Sequence, residues 1–125
     1  MARILIVDDD RFTARLAAAK ISQLGHVAAI AEDGPEALQQ VADFRPDLIL
    51  LDLMLPRMSG LEVCRALRAD AATRDIPIVM LTGKVQERDV EAGFAAGAND
   101  YLTKPFSPRE LQVRLQAHLK HAMRA

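Results

Sequence analysis

Several short apolar runs in this chain end in residues that could do phosphoryl chemistry. Asp8, Asp9 and Asp10 follow Ile4-Leu5-Ile6-Val7, and Asp52 follows Leu48-Ile49-Leu50-Leu51. Thr82 follows Ile78-Val79-Met80-Leu81, and Lys104 stands just beyond Tyr101-Leu102. Each residue alone has a bland reading. An aspartate or threonine after a strand is commonly a turn former or cap, and Asp10 is read as one. A lone lysine is commonly a solvated surface residue. Together they form a different kind of set. Carboxylates ~4 Å apart repel by about 4 kcal/mol at an effective dielectric near 20, so a proton or a cation must relieve them. All-oxygen ligands without His or Cys suit a hard ion, Mg²⁺ or Mn²⁺. Mg²⁺ takes few carboxylates and keeps positions open for a phosphoryl oxygen. A metal, the Thr82 hydroxyl and the Lys104 ammonium around Asp52 would complement a bound phosphoryl group. Asp52 would then attack phosphorus in line and become an acyl phosphate.

That chemistry requires the runs to be neighbouring strands. The runs are continuous rather than alternating, as in parallel strands covered on both faces. Val27 to Ala31 is a further run, weakened by three alanines. Helical patterns separate them. In 11–24, Leu16, Ala17, Ile21 and Leu24 are placed on one face, with Gly25 as the stop. Pro35 suits a first turn, followed by Ala37, Leu38 and Val41. Ser59 and Glu62 have capping-box spacing for a helix to about Leu67. Val90 and Phe94 mark a short helix ending near Gly97. Ser107 and Glu110 form another capping box, opening a helix with Leu111, Leu115 and Leu119 at i, i+4 and i+8. The pattern is α/β, (βα)₅. Right-handed crossovers favour a doubly wound five-stranded parallel sheet, with order 2-1-3-4-5 as the common solution. Its switch point lies between strands 1 and 3, whose carboxyl ends carry Asp8-Asp9 and Asp52. Asp9 and Asp52, 43 residues apart in sequence, thereby meet in one crevice.

Bulk properties set the class. The sequence has 125 residues, half of them apolar, and a net charge of −1, which suits a single soluble domain over 1–125. No strong field favours nucleic acid or an anionic membrane, so direct nucleic-acid binding is not expected. Cys64 is the only cysteine, which excludes an internal disulfide and fits a reducing, cytoplasmic setting. It is read as a small apolar residue on a buried helix face. The N-terminus reaches its aspartates too soon for a signal peptide, and no apolar run approaches the ~20 residues of a membrane span.

The ordered motifs resemble the receiver domain of bacterial two-component response regulators over essentially the full length. The matching pieces are Ile4 to Asp10, Asp47 to Pro56, Ser59-Gly60, Ile76 to Gly83, Gly97 to Tyr101 and Lys104-Pro105-Phe106. The resemblance implies a flavodoxin-like three-layer sandwich and a phosphorylation-activated switch, not a metabolic enzyme. It implies that Asp52 takes phosphate from a phosphohistidine on a sensor histidine kinase or histidine phosphotransfer protein. Asp9 and Asp52 look like direct Mg²⁺ ligands, with the Met54 backbone carbonyl as a third. Asp8 looks like an acid that helps hold the ion, often through water. Thr82 looks like the switch hydroxyl, Tyr101 the aromatic switch that turns with it, and Lys104 the phosphate-pairing lysine. The Lys104-Pro105 bond is implied to be cis. Output is implied to run through helix 4, strand 5 and helix 5 to an effector domain or partner protein, with a phosphorylation-dependent homodimer as a further possibility. Arg109, Arg114 and Lys120 on helix 5 could join that surface, although a solvated face is the default.

Gly83 stands where the family more usually has alanine; it removes no functional group. Met54 and Lys84 sit where the family varies and should set how long the phosphate persists. An apolar Met54 suggests slow autodephosphorylation, over many minutes. Two other readings compete. The Asp8-Asp9-Asp10 run contains the Asp-x-Asp of haloacid-dehalogenase-like phosphatases, but Phe12 breaks their pattern and their nucleophile would be Asp8. A phosphate-independent interaction module of the same fold would usually have lost an acid or the lysine, and none is lost here.

Overall fold

The computed structural model describes residues 1–83 and 87–122. Strands and helices alternate along the chain: β1 (Arg3–Val7), α1 (Arg11–Gln23), β2 (Val27–Ala31), α2 (Gly34–Phe44), β3 (Leu48–Asp52), α3 (Gly60–Ala69), β4 (Ile78–Thr82), α4 (Glu87–Ala96), β5 (Asp100–Thr103) and α5 (Pro108–Ala122). All strand pairings are parallel and the sheet order is β2-β1-β3-β4-β5. This is the doubly wound arrangement expected from the alternating pattern.

The continuous apolar runs reflect two cores, one on each face. Ile4, Ile6, Leu48, Leu50, Val79 and Leu81 pack with α1 and α5 on one side. Leu5, Val7, Ile49, Leu51, Ile78 and Met80 pack with α2, α3 and α4 on the other. Adjacent residues of one strand thus serve opposite cores. At the sheet edge, β2 is only partly covered and Val27 is exposed. In α5, Leu111, Leu115 and Leu119 are all buried, as their spacing requires.

Helix ends follow their local chemistry. Asp10 caps α1, accepting from Phe12 N at 3.1 Å and from the Thr13 hydroxyl at 2.7 Å. Those hydrogen bonds, that of Thr13 foremost, lower the Asp10 pKa. Ser59 Oγ accepts from Glu62 N at 3.2 Å. The second capping box is reciprocal: Ser107 Oγ accepts from Glu110 N, and Glu110 Oε1 accepts from Ser107 N. α4 ends with Gly97 in the left-handed region (φ 112), Ala98 N donating to Gly93 O and Gly97 N to Phe94 O.

One face assignment is corrected. α1 buries Ala14, Ala17 and Ile21, while Leu16 is 52% exposed. The buried stripe steps by three and four residues, and Leu16 lies a rotation of about 100° off it. Leu16 instead lines a surface cleft with Phe12, Pro105 and Phe106.

Candidate functional site

Strand register aligns the carboxyl ends. Val7 pairs with Leu51, Asp52 with Leu81 and Thr82 with Thr103. Ladder bonding continues past the strands, with Asp8 N donating to Ala31 O, Leu53 N to Leu81 O and Lys104 N to Thr82 O. The backbone carrying each candidate side chain is therefore fixed by the sheet. Gly60, at the start of α3, allows a close approach from below: a Cβ there would stand 2.3 Å from Asp52 O.

Asp8, Asp9 and Asp52 offer carboxylate oxygens that lie within 4.8 Å of one another. Asp8 is fully buried, Asp52 nearly so, and Asp9 is exposed. Lys104 Nζ lies 2.7 Å from Asp8 Oδ2 and 3.1 Å from Asp52 Oδ2. Asp8 Oδ1 accepts from Asp10 N at 2.9 Å, and Asp52 Oδ1 accepts from Met54 N at 3.1 Å. Thr82 is buried at the end of β4. The Lys104-Pro105 bond is cis. Tyr101 is half-buried, its hydroxyl donating to Val90 O at 3.3 Å and its ring meeting Phe94 edge-on at 5.2 Å. Met54 is 77% exposed. Lys84 lies outside the described residues.

The electrostatics fit a cation. Burial, then the charge of Asp8, raises the Asp52 pKa to about 6, against the downward pull of Met54 N–H and Lys104. Burial works to lower the Lys104 pKa, but Asp8 and Asp52 outweigh it and raise it overall. One ammonium thus faces the carboxyl groups of Asp8 and Asp52, while Asp9 stands beside them without an ion pair to Lys104. Asp8 Oδ2 is buried and has Lys104 as charge partner, yet it accepts no hydrogen bond of sound angle among the described residues. A buried carboxylate oxygen in that condition suits a hard cation shared with Asp9 and Asp52.

Other roles carry no clear mark in the sequence. Arg68 donates to Gly97 O, Ile76 O and Asn99 Oδ1 at 2.8–2.9 Å, fastening the end of α3 to the α4–β5 junction and to the segment that leads into β4. A polar residue on α3 gives no signal of these distant carbonyls. The buried Cys64 thiol donates to Ala96 O at 3.3 Å, and burial raises its pKa. His118 Nε2 lies 2.9 Å from Asp100 Oδ2, and Arg114 Nη1 lies 3.5 Å from the same oxygen.

Known proteins share both sequence and architecture. The response regulator receiver domain family matches residues 4–116. The DNA-binding response regulator MtrA of Mycobacterium tuberculosis is 49% identical over 118 residues, covering 94% of this chain and 50% of its own length. The phosphate regulon transcriptional regulatory protein PhoB of Pseudomonas aeruginosa is 48% identical over 117 residues, with 94% and 51% coverage. The chain thus spans about half the length of these curated relatives. Chemotaxis protein CheY4 of Vibrio cholerae superposes with a TM-score of 0.90 at 34% identity, covering 94% of this chain and 98% of that one. The receiver domain of a Pseudomonas aeruginosa sensor histidine kinase, solved with a magnesium ion in its active-site cleft, gives 0.87 at 35% identity, with 95% and 98% coverage. Sequence and fold agree that this chain belongs to the response regulator receiver domain family.

Proposed function

We propose that Asp52 accepts a phosphoryl group from the phosphohistidine of a sensor kinase or phosphotransfer protein, and that residues 1–125 act as one receiver unit in the cytoplasm. The observation that carries this reading is the gathering of Asp8, Asp9 and Asp52, with Lys104 paired to Asp8 and Asp52. An Asp52 carboxylate oxygen attacks phosphorus in line, and the phosphorus–nitrogen bond to the donor imidazole breaks. An imidazole protonated on its other nitrogen leaves neutral, so this chain need not supply a proton. Lys104 then turns from the carboxylates to a phosphoryl oxygen, and the Thr82 hydroxyl donates to another. Mg²⁺ (or Mn²⁺), held by Asp9, Asp52 and the Met54 carbonyl with help from Asp8, would supply charge neutralisation of the phosphoryl oxygens when bound.

The added charge and acceptor oxygens reposition Thr82 and Lys104, and Tyr101 moves with them. The surface of α4, β5 and α5 changes as a result. That surface controls an effector or a partner, including a second copy of this chain. The relatives named as DNA-binding are about twice this length, and with a net charge of −1 this chain is assigned no direct contact with DNA.

Treatment with acetyl phosphate and Mg²⁺, followed by intact mass measurement, tests the reading. Wild type gains one phosphoryl group, while chelation or Asp52→Asn abolishes the gain. Undiminished gain in Asp52→Asn would refute it.

A further inference from the structure

We propose that Gly93 is a positioning residue for Tyr101: its missing side chain makes a notch in α4 that receives the tyrosine hydroxyl. This rests on reading Tyr101 as the aromatic switch.

Helix geometry gives no reason for a glycine at position 93. It lies inside α4, and the left-handed helix stop is Gly97. An interior glycine costs about 1 kcal/mol relative to alanine. Tyr101 supplies the reason. A Cβ on residue 93 would stand 1.5 Å from Tyr101 Oη, 2.6 Å from Cζ and 3.2 Å from Cε2. These atoms belong to a stiff aromatic side chain, so the ring itself would have to leave.

The notch also has the chemistry to hold its occupant. Val90, Gly93 and Phe94 stand at i, i+3 and i+4, on one face of the helix. Val90 supplies the carbonyl that accepts from the Tyr101 hydroxyl, and Phe94 supplies the edge-on ring contact. Gly93 itself is buried. On the other side, Tyr101 pairs with Met80 in β4, two residues before Thr82. Tyr101 therefore links, by its backbone, to the strand that ends at the proposed phosphoryl site and, by its ring, to the helix that forms part of the proposed output surface. Whether the notch is filled or empty then becomes a state of that surface, and residue 93 sets the balance.

The experiment exploits a feature of the composition: Tyr101 is the only tyrosine and the chain has no tryptophan. Protein labelled with 3-fluorotyrosine reports Tyr101 alone by ¹⁹F NMR. Gly93→Ala should fold well, because alanine favours the helix. Its Tyr101 resonance should move away from the wild-type position. BeF₃⁻ with Mg²⁺ is then titrated into both proteins. By reciprocity, if BeF₃⁻ empties the notch in wild type, Gly93→Ala tightens BeF₃⁻ binding; if BeF₃⁻ fills it, the substitution weakens binding, in either case by about fivefold or more. The effect should vanish in a Tyr101→Leu background, which a general packing defect would not do. An unmoved resonance in Gly93→Ala, or an equal affinity change in the Tyr101→Leu background, overturns the notch. A wild-type resonance indifferent to bound BeF₃⁻ would instead overturn Tyr101 as the switch, while the Gly93→Ala spectrum still judges the notch.

Discussion

Asp52 is held in a state that opposes its own ionisation. Its pKa is raised from 3.8 to about 6, by burial first and by Asp8 second. The sign for stability follows from proton binding. Below about pH 4 the folded and unfolded carboxyls are both protonated, and the stability associated with the group is fully present. As pH rises through about 6, the unfolded chain has already ionised while the folded group is forced to follow, and that stability is lost. Asp52→Asn should therefore be more stable than wild type at pH 7 in chelator, by roughly 1–2 kcal/mol after allowing for water at the pocket mouth. Its stability profile should be flatter between pH 4 and 6. Denaturant melts across that range check this, and a less stable variant at pH 7 would contradict it. Met54 acts at the same scale. It is exposed two residues beyond Asp52, and on the proposed reading its apolar side chain would screen an acyl phosphate there from water. Phosphate loss in Mg²⁺ should take many minutes in a time course; a half-life of seconds would sink that view.

At the scale of elements, the site depends on strand ends and helix junctions that differ in how plainly the sequence announces them. β1, β3 and β4 are legible because each is buried almost throughout on both faces, and a short continuous apolar run bounded by polar residues fits a doubly covered strand better than a half-exposed one. The site residues are legible because each follows such a run or stands just beyond one. Leu16 is different: hydrophobicity alone cannot separate a core stripe of α1 from an exposed apolar side chain beside it. The Arg68 contacts and the Tyr101 notch are not legible, because they join residues distant in the chain and the acceptors Gly97 O, Ile76 O and Val90 O are backbone atoms that carry no sequence identity. Arg68 makes a test of this scale. Arg68→Ala removes donors from three acceptors and should destabilise the fold by about 2–3 kcal/mol. Amide exchange should quicken at 97–99 more than in β1. Uniform quickening would argue against a local clamp.

For the whole molecule, the sheet separates two jobs. Its carboxyl edge gathers the acids, and its two cores hold the helices that must respond. No helix among the described residues is long and apolar enough to cross a membrane. A cation that binds only the folded acidic cluster adds stability by mass action. Mg²⁺ should raise the melting temperature of wild type at pH 7, with a smaller rise in Asp52→Asn. Equal rises would place the ion elsewhere. With BeF₃⁻ present, mass in solution should show whether the α4, β5 and α5 surface pairs with a second copy, and an Arg114→Glu change should then weaken that pairing.

The most direct measurement is the location of the phosphoryl group. Protein phosphorylated with acetyl phosphate and Mg²⁺, then reduced with borohydride, converts the acyl phosphate to homoserine, which peptide mass spectrometry can place. We predict homoserine at position 52 and at no other aspartate. Homoserine at position 8, or none in a phosphorylated sample, would contradict the account.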